Sequence, residues 1–79
     1  MRVLFFSHVK DAVGLPEMDL AVSGSLDAAG LWTQLIGRYP KLGPFRKTTR
    51  LARNGEYAGP DVTFANTDEV ALIPPVSGG

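Results

Sequence analysis

The chain has 79 residues, of which 44% are hydrophobic and 20% charged, and its eight basic residues balance eight acidic ones. This composition is typical of one soluble globular domain with a small core, because a domain of this size buries only about 60% of its unfolded surface. The zero net charge disfavours a nucleic-acid binder, the absence of cysteine excludes disulfides and thiolate chemistry, and no apolar run approaches the roughly 20 residues that span a bilayer.

The first third of the chain predicts two strands and a turn of helix. Residues 3–6 are apolar without alternation, which indicates a strand covered on both faces in the middle of a sheet. Residues 8–13 have helical spacing and are followed by Gly14, which suits a left-handed C-cap. Residues 18–22 place Met18, Leu20 and Val22 on one face and predict a half-buried strand. The apolar opening is too short for a signal peptide, so we expect a cytoplasmic protein.

One main helix is predicted over residues 26–39. Ser25 is a suitable N-cap, Asp27 suits the positive end of the helix dipole, and the proline that follows the helix stops it. Spacings of three, four and seven define a core-facing side made of Ala28, Leu31, Trp32, Leu35, Ile36 and Tyr39. Gly30 and Gly37 indicate either a weak helix or a close neighbour at those positions.

After the helix, the sequence predicts a loop, a hairpin and a last strand. Residues 41–49 form the loop, and its Phe45 is expected to return to the core. Asn54-Gly55 is the preferred pair for a two-residue hairpin turn. The strands predicted in this part span residues 50–53, 56–58 and 69–73, and residues 62–64 are expected to be a short extended or turn-like piece.

The predicted order is strand, strand, helix, strand, short strand and final strand, which makes an α+β fold. If the strongly apolar first and last strands are parallel neighbours at the centre, every crossover can be short and right-handed. This arrangement fits a β-grasp, a mixed sheet curled around one main helix as in ubiquitin. The pattern alone leaves a ferredoxin-like fold or another small α+β fold open.

The chain ends on residues 72–79, Leu-Ile-Pro-Pro-Val-Ser-Gly-Gly. Proline has no backbone N–H and a fixed φ, so Pro74 and Pro75 end the sheet ladder and make a stiff exit. The two final glycines have no Cβ, and they can therefore carry the terminal carboxylate into a narrow channel. A frayed terminus is the ordinary interpretation of such an ending. The direct succession of strand, prolines and glycines indicates an aimed tail instead, with a domain at residues 1–73 and an extended tail at residues 74–79.

The last twelve residues, DEVALIPPVSGG, resemble the ending of the small, sulfur-carrying subunits of molybdopterin synthase, in the ubiquitin-like group of sulfur carriers. The likeness extends over nearly the whole chain, since residues 3–6 and Asn54-Gly55-Glu56 also fit, and it implies the β-grasp fold. One departure concerns the turn before the last strand, where relatives have an acidic residue and a glycine and this chain has Asn66-Thr67. A β-branched threonine is unfavourable at positive φ, so any left-handed position there is expected at Asn66.

The resemblance implies a sulfur carrier whose working group is the α-carboxylate of Gly79. In the family, a ubiquitin-activating-type enzyme uses ATP and Mg²⁺ to adenylate that carboxylate, and a persulfide sulfur donor converts it to a thiocarboxylate. The tail then enters the large subunit of molybdopterin synthase and donates its sulfur to cyclic pyranopterin monophosphate. The residues implied to contact the partner are Leu72, Pro74, Pro75, Val76, Ser77 and Gly78.

Other uses of such a tail stay open. Related carriers serve thiazole, thiolated tRNA or cysteine synthesis, and the Pro-Pro-Val-Ser sequence favours the molybdopterin role among these. A protein modifier would join to lysine side chains through the same activated glycine. A β-grasp interaction module with an inert tail is the third alternative.

Little else in the sequence indicates catalysis. His8 is the only histidine, so it cannot assemble a triad or a His-Glu metal site, and a structural or surface role is expected. Asp68 and Glu69 would point to opposite faces of a strand, which favours turn chemistry over a catalytic or metal-binding pair. No glycine-rich phosphate loop occurs, so we expect no cofactor or metal on this chain.

One basic cluster has two possible interpretations. It is either a solvated surface or a docking site for an acidic partner, whose association such charges would speed. The cluster consists of Lys41, Arg46, Lys47, Arg50 and Arg53.

Overall fold

A computed structural model describes residues 1–75 of the chain. The strands within that range are β1 (Arg2–Phe5), β2 (Glu17–Asp19), β3 (Ser25–Leu26), β4 (Arg50–Arg53), β5 (Glu56–Tyr57), β6 (Phe64–Ala65) and β7 (Glu69–Ile73). The helices are α1 (Ser7–Val13) and α2 (Ala28–Arg38), and a 3₁₀ helix follows at Pro40–Phe45. The predicted tail residues 76–79 lie outside the described residues.

Five strands form one mixed sheet in the order β2-β1-β7-β4-β5, and β3 pairs with β6 in a separate two-stranded sheet. The last strand, β7, lies at the centre, parallel to β1 and antiparallel to β4. Its register sets Leu72 opposite Phe5 on one side, and Ile73 opposite Arg50 on the other. The prediction of parallel first and last strands at the centre of an α+β, β-grasp sheet is therefore confirmed.

The core lies between one face of this sheet and α2. The buried side chains of the helix are Leu31, Trp32 and Leu35, as its spacing predicted, and the half-buried Ala28, Ile36 and Tyr39 pack against the same core. The rings of Phe5 and Tyr39 meet edge to face, with centroids 6.1 Å apart. Each fully buried large apolar side chain contributes about 1.5–3 kcal/mol to stability, so this one cluster holds the sheet and helix together.

The start of α2 differs from the prediction. Ser25 is not the N-cap, because Ser25 and Leu26 pair with β6 as the short strand β3. Asp27 caps the helix instead, and its Oδ1 accepts a hydrogen bond of 2.7 Å from the Gly30 N–H. A Cβ at Gly30 would lie 3.1 Å from that Oδ1, so the cap is the close neighbour at this glycine, whereas a Cβ at Gly37 would meet open space.

One predicted loop is more ordered than expected, and one predicted strand is shorter. The loop at residues 41–49 contains most of the 3₁₀ helix, whose Leu42 is fully buried, while Phe45 packs half-buried against the core. The strand predicted at residues 18–22 ends at Asp19. The predicted alternation is nevertheless confirmed by burial, since Leu20 and Val22 are buried and Met18 is half-buried.

The predicted turns at Gly14 and Asn54-Gly55 are confirmed. Gly14 has φ +85° and donates its N–H to the Lys10 carbonyl at 2.8 Å, which is a left-handed C-cap for α1. Asn54 and Gly55 have φ of +50° and +87°. Positive φ at both central residues is typical of the hairpin turn whose twist matches the flanking strands.

The prediction of a left-handed Asn66 is wrong. Within residues 1–75, the only non-glycine residues at positive φ are Ser7 and Asn54. The Asn66 side chain acts instead: its Oδ1 accepts hydrogen bonds from the Val22 N–H at 2.9 Å and from the Met1 ammonium group at 3.2 Å. The turn after β6 is thus fixed by contacts to distant parts of the chain.

Candidate functional site

The candidate site is the point where the chain leaves the end of the central strand. The β7 ladder ends at Ile73, which is paired with Arg50 of β4. Pro74 is half-buried and Pro75 is exposed, and neither belongs to a strand. The sheet ladder therefore ends before the two prolines, as the chemistry of proline predicted, and Pro75 lies at the protein surface.

The structure corrects the place given to Leu72 among the partner-contacting residues. Its side chain is fully buried in the core, opposite Phe5 and Leu51. The strand alternates, so Val70 and Leu72 point inward while Ala71 and Ile73 point to the other face of the sheet. Leu72 anchors the strand that carries the tail, and it offers no surface to a partner.

The outward face of the sheet is apolar beside the exit. Residues directly opposite one another in a sheet share a face. The register therefore groups Ile73 and Ala71 of β7 with Leu4 of β1 and Ala52 of β4, and it adds Tyr57 of β5 opposite Ala52. Tyr57 is 59% exposed. Leu4, Ala71 and Ile73 are half-buried and Ala52 is buried, so this face is exposed only in part beside the root of the tail, chiefly at Tyr57.

A second exposed aromatic residue lies on the β1 side of the exit. Phe6 follows the pair of Phe5 and Leu72, has 46% of its side chain exposed and precedes Ser7, whose φ is +54°. An open groove of about 320 Å³ adjoins it, and Arg2, Lys10 and Glu17 are among its lining residues. Sequence reasoning assigned Phe6 to a buried strand, because four consecutive apolar residues give no sign of where a strand ends.

Hydrogen bonds of the Asn54 and Asp68 side chains fix the beginning of β7. The Asn54 side chain accepts a hydrogen bond from the Glu69 N–H at 2.9 Å and donates one to Asp68 Oδ1 at 3.0 Å, while Asp68 Oδ2 accepts from the Ala65 N–H at 2.8 Å. The Ala65 N–H and then the Asn54 amide lower the pKa of Asp68 below its ordinary value of 3.8. Asp68 therefore has the turn role that the sequence favoured, and the hairpin and the last strand are tied together at their polar ends.

The predicted basic cluster does not act as one unit. Arg53 is half-buried and its Nη1 donates a 2.7 Å hydrogen bond to the Thr63 carbonyl, so it braces the loop before β6. Lys41, Arg46, Lys47 and Arg50 are exposed. Of these, Arg50 begins β4 directly beside the tail exit, and its guanidinium carbon lies 4.2 Å from the centroid of the Tyr57 ring.

The other candidate residues are not gathered into a second site. His8 is exposed on α1. Across the described part of the chain, no three His, Asp or Glu side chains are placed to hold a metal ion together. None of the helices in residues 1–75 has the length and apolar character that crossing a membrane requires.

Comparison with known proteins gives these features a family context. The family model described as ThiS family matches residues 3–79. A relative in Arabidopsis thaliana, named molybdopterin synthase sulfur carrier subunit, is 30% identical over 79 residues that cover 100% of this chain and 82% of the relative. A relative of the same name in Chlamydomonas reinhardtii is 35% identical over 81 residues that cover 100% of this chain and 98% of the relative.

The fold has a solved counterpart in SAMP1 from Haloferax volcanii, with a TM-score of 0.85 and 29% sequence identity over 100% of this chain and 98% of that one. A second structure from that organism, of small archaeal modifier protein 1, has a TM-score of 0.82 and is 27% identical over 96% of this chain and 97% of that one. These similarities cover the β-grasp domain, and the family match continues through the final glycine. The resemblance inferred from the ending of the sequence is thus confirmed, and this chain belongs to the ThiS family.

Proposed function

We propose that this chain is the sulfur carrier subunit of a molybdopterin synthase and that it carries sulfur as a thiocarboxylate on Gly79. Two relatives that bear that name are similar over the full length of this chain. The word subunit in their name indicates that those relatives act in a complex with another chain. The partner we propose for this chain is the large subunit of the synthase, which receives the tail.

The observation that carries the proposal is the geometry of the exit. The tail follows the central strand of the sheet, and Leu72 anchors that strand in the core two residues before the first proline. Pro74 cannot donate to a ladder, and Pro75 already lies at the surface. A terminus that reacts inside another protein needs such an anchored strand, because the four residues after the exposed Pro75 must start from a fixed point at the surface.

The carboxylate must be activated before it can accept sulfur. A ubiquitin-activating-type enzyme would bind ATP and Mg²⁺, and an oxygen of the Gly79 carboxylate would attack the α-phosphate to give an acyl adenylate and pyrophosphate. The terminal sulfur of a persulfide would then attack the acyl carbon and expel AMP. A thiol would cleave the remaining S–S bond, end as a disulfide and release the thiocarboxylate.

The loaded tail would next enter the large subunit. In this scheme Pro74 and Pro75 aim the tail, Val76 anchors it, and Ser77 and Gly78 thread the channel so that Gly79 reaches the reacting carbon of cyclic pyranopterin monophosphate. The thiocarboxylate sulfur would form a bond to that carbon while a carbon–oxygen bond there breaks and the oxygen leaves with its electron pair. Water would then hydrolyse the resulting thioester, so that Gly79 is a carboxylate again and the sulfur stays on the substrate as a thiolate. One sulfur atom is delivered in each turnover.

Groups that polarise the acyl carbon and hold phosphate would come from the partners. The chain has one histidine and no cysteine, and the histidine is exposed on α1. We place the process in the cytoplasm, where the activating enzyme has ATP.

A second candidate function uses the same activation. The structural relative from Haloferax volcanii is named a modifier protein, and it is 27% identical over 96% of this chain. If the acyl adenylate passed to a lysine amine instead of a persulfide, this chain would become linked to other proteins through an isopeptide bond at Gly79.

Mass spectrometry of the intact protein separates these functions. The protein should be produced together with its activating enzyme and a persulfide donor, and a variant lacking the last two glycines serves as the matched control. We expect a fraction of the full-length protein to be heavier by the difference between sulfur and oxygen, and no such fraction in the control. A persistently unmodified terminus would contradict the carrier proposal, and branched peptides that join Gly79 to lysines would establish the modifier.

A further inference from the structure

Arg50 and Tyr57 form a preorganised pair at the root of the tail. The guanidinium carbon of Arg50 lies 4.2 Å from the centroid of the Tyr57 ring, well inside the roughly 6 Å limit of a cation–π contact. Both side chains lie on the outward face of the sheet, where Arg50 is opposite Ile73 and Tyr57 is opposite Ala52. The pair therefore adjoins the last residue of β7 before the prolines.

The charge of Arg50 is not neutralised within the described residues. The two ion pairs found in residues 1–75 both involve Arg2, which contacts Glu17 and Glu69. Glu69 is the first residue of β7 and lies opposite Arg2, whereas Arg50 lies opposite Ile73, the last residue of β7. Over residues 1–75, the Arg50 side chain also donates no hydrogen bond to the protein. The charges at the start of β7 are thus paired within the described residues, whereas the side chain of Arg50, at the end beside the tail, is a cation without such a pair.

An arginine held over an aromatic ring at this distance suits a carboxylate. A guanidinium group that lies on an aromatic ring keeps its N–H groups at the edge available, and their planar fork matches the two oxygens of a carboxylate. Stacking also restricts the rotamers of the arginine, so less side-chain entropy is lost when a partner binds. The apolar neighbours Ile73 and Ala52 would exclude water from such a contact, which strengthens it.

We propose that Arg50 and Tyr57 are a docking point for an acidic side chain that lies on the large subunit, beside the mouth of the channel that takes the tail. This inference rests on the proposed function and adds a specific recognition contact to it. A contact at the last residue of the central strand fixes the root of the tail against the partner. The same positive charge accelerates the encounter of the two proteins.

Stopped-flow association of the purified large subunit with this chain tests the docking point. We expect the association rate at low salt to fall about 3-fold for Arg50→Gln and about 10-fold for Arg50→Glu, and the difference from wild type to shrink in ~0.5 M salt because screening removes long-range attraction. Arg38→Glu is the matched control. It makes the same charge change on an exposed residue in the last turn of α2, which packs against the opposite face of the sheet.

A double-mutant cycle tests whether Tyr57 acts through Arg50. Tyr57→Leu should weaken the complex in the wild-type background and have a smaller effect in the Arg50→Gln background, while the melting temperature of each variant stays close to that of wild type. An Arg50→Glu rate equal to that of Arg38→Glu overturns the docking point, as do strictly additive effects in the cycle. A wild-type chain that forms no complex with the large subunit contradicts the partner assignment itself, and both proposals fail together.

Discussion

At the scale of single residues, one amide and one carboxylate fix the strand that bears the tail. Asn54 serves the turn through its positive φ and serves the strand through its side chain, which contacts both Asp68 and the Glu69 N–H. Asp68 accepts two hydrogen bonds that favour its charged form, so its pKa is lowered. The position of β7 is therefore coupled to the ionisation of Asp68.

This coupling predicts the acid stability of the domain. A carboxyl group whose pKa is depressed by folding stabilises the native state above its unfolded pKa, near 3.8, and that contribution is lost as the pH falls through the lower folded value. We expect Asp68→Asn to destabilise the protein at neutral pH and to make its unfolding free energy less dependent on pH in the acid range. Urea denaturation between about pH 2.5 and pH 7 measures both effects.

Asp61→Asn provides the control for this change, because Asp61 is exposed and makes no side-chain hydrogen bond to any of residues 1–75. Its acid profile should match that of wild type. If the unfolding free energy of Asp68→Asn fell with acid as steeply as that of wild type, the hydrogen bonds of residue 68 would not depend on the charge of Asp68.

At the scale of elements, α2 contains two glycines with opposite surroundings. A Cβ at Gly37 would meet open space, whereas a Cβ at Gly30 would lie 3.1 Å from the capping oxygen of Asp27 and 3.4 Å from Leu26 Cδ2. Alanine in a helix interior is favoured over glycine by about 1 kcal/mol. At Gly37 the helix propensity of alanine is therefore unopposed, whereas at Gly30 it competes with the Asp27 cap.

We accordingly expect Gly37→Ala to stabilise the domain by about 0.5–1 kcal/mol, which corresponds to a rise in melting temperature of roughly 2–8 °C for a domain of this size. Gly30→Ala should gain clearly less, or lose stability, because the Asp27 side chain must move. Thermal unfolding of the two variants against wild type provides the comparison. Equal stabilisation at both positions would mean that the cap yields without cost.

At the scale of the whole molecule, we expect folding and function to depend on different parts of the chain. Within residues 1–75, the last buried core residue is Leu72 and the central strand ends at Ile73, whereas the proposed reacting group is on Gly79. Changes at the last residue should therefore leave the stability of the domain alone and act on sulfur transfer.

Gly79→Ala, or one residue added after Gly79, tests that separation. We expect an unchanged melting temperature together with loss of sulfur transfer, because a Cβ or an extra residue at the terminus does not fit a channel shaped for glycine. Formation of molybdopterin by the reconstituted synthase is the functional measurement. Unimpaired transfer by the extended variant would refute the channel argument.

Much of the fold could be predicted from local patterns, and the misses share one physical cause. Spacing identified the inner side of α2, and Asn54-Gly55 identified the hairpin, because both signals are local. The start of α2 was missed since Ser25 and Asp27 are both good caps, and the choice is made by pairing with β6, some forty residues away. Asn66 was missed for the same reason, because its partner Val22 is also distant.

Of the predicted site residues that lie within residues 1–75, Leu72 was misplaced, whereas the end of the strand at the prolines was predicted correctly. The exit at Pro74 and Pro75 follows directly from the chemistry of proline. The alternation of β7 could have shown that Leu72 faces inward with Val70, but its closeness to the tail in sequence suggested a partner contact. The Arg50 and Tyr57 pair depends on the register of β4 with β5 and β7, which no local pattern gives.

The placement of β7 between two strands has a mechanical consequence. Four residue pairs join it to β1 and four join it to β4, so a pull on Pro75 acts along both ladders and strains their hydrogen bonds in parallel. Shear of this kind must break the bonds together, whereas peeling an edge strand would break them one at a time. A partner that binds the proposed tail and pulls on it would therefore load both ladders at once, and we expect the domain to stay folded while the terminus is inserted and withdrawn.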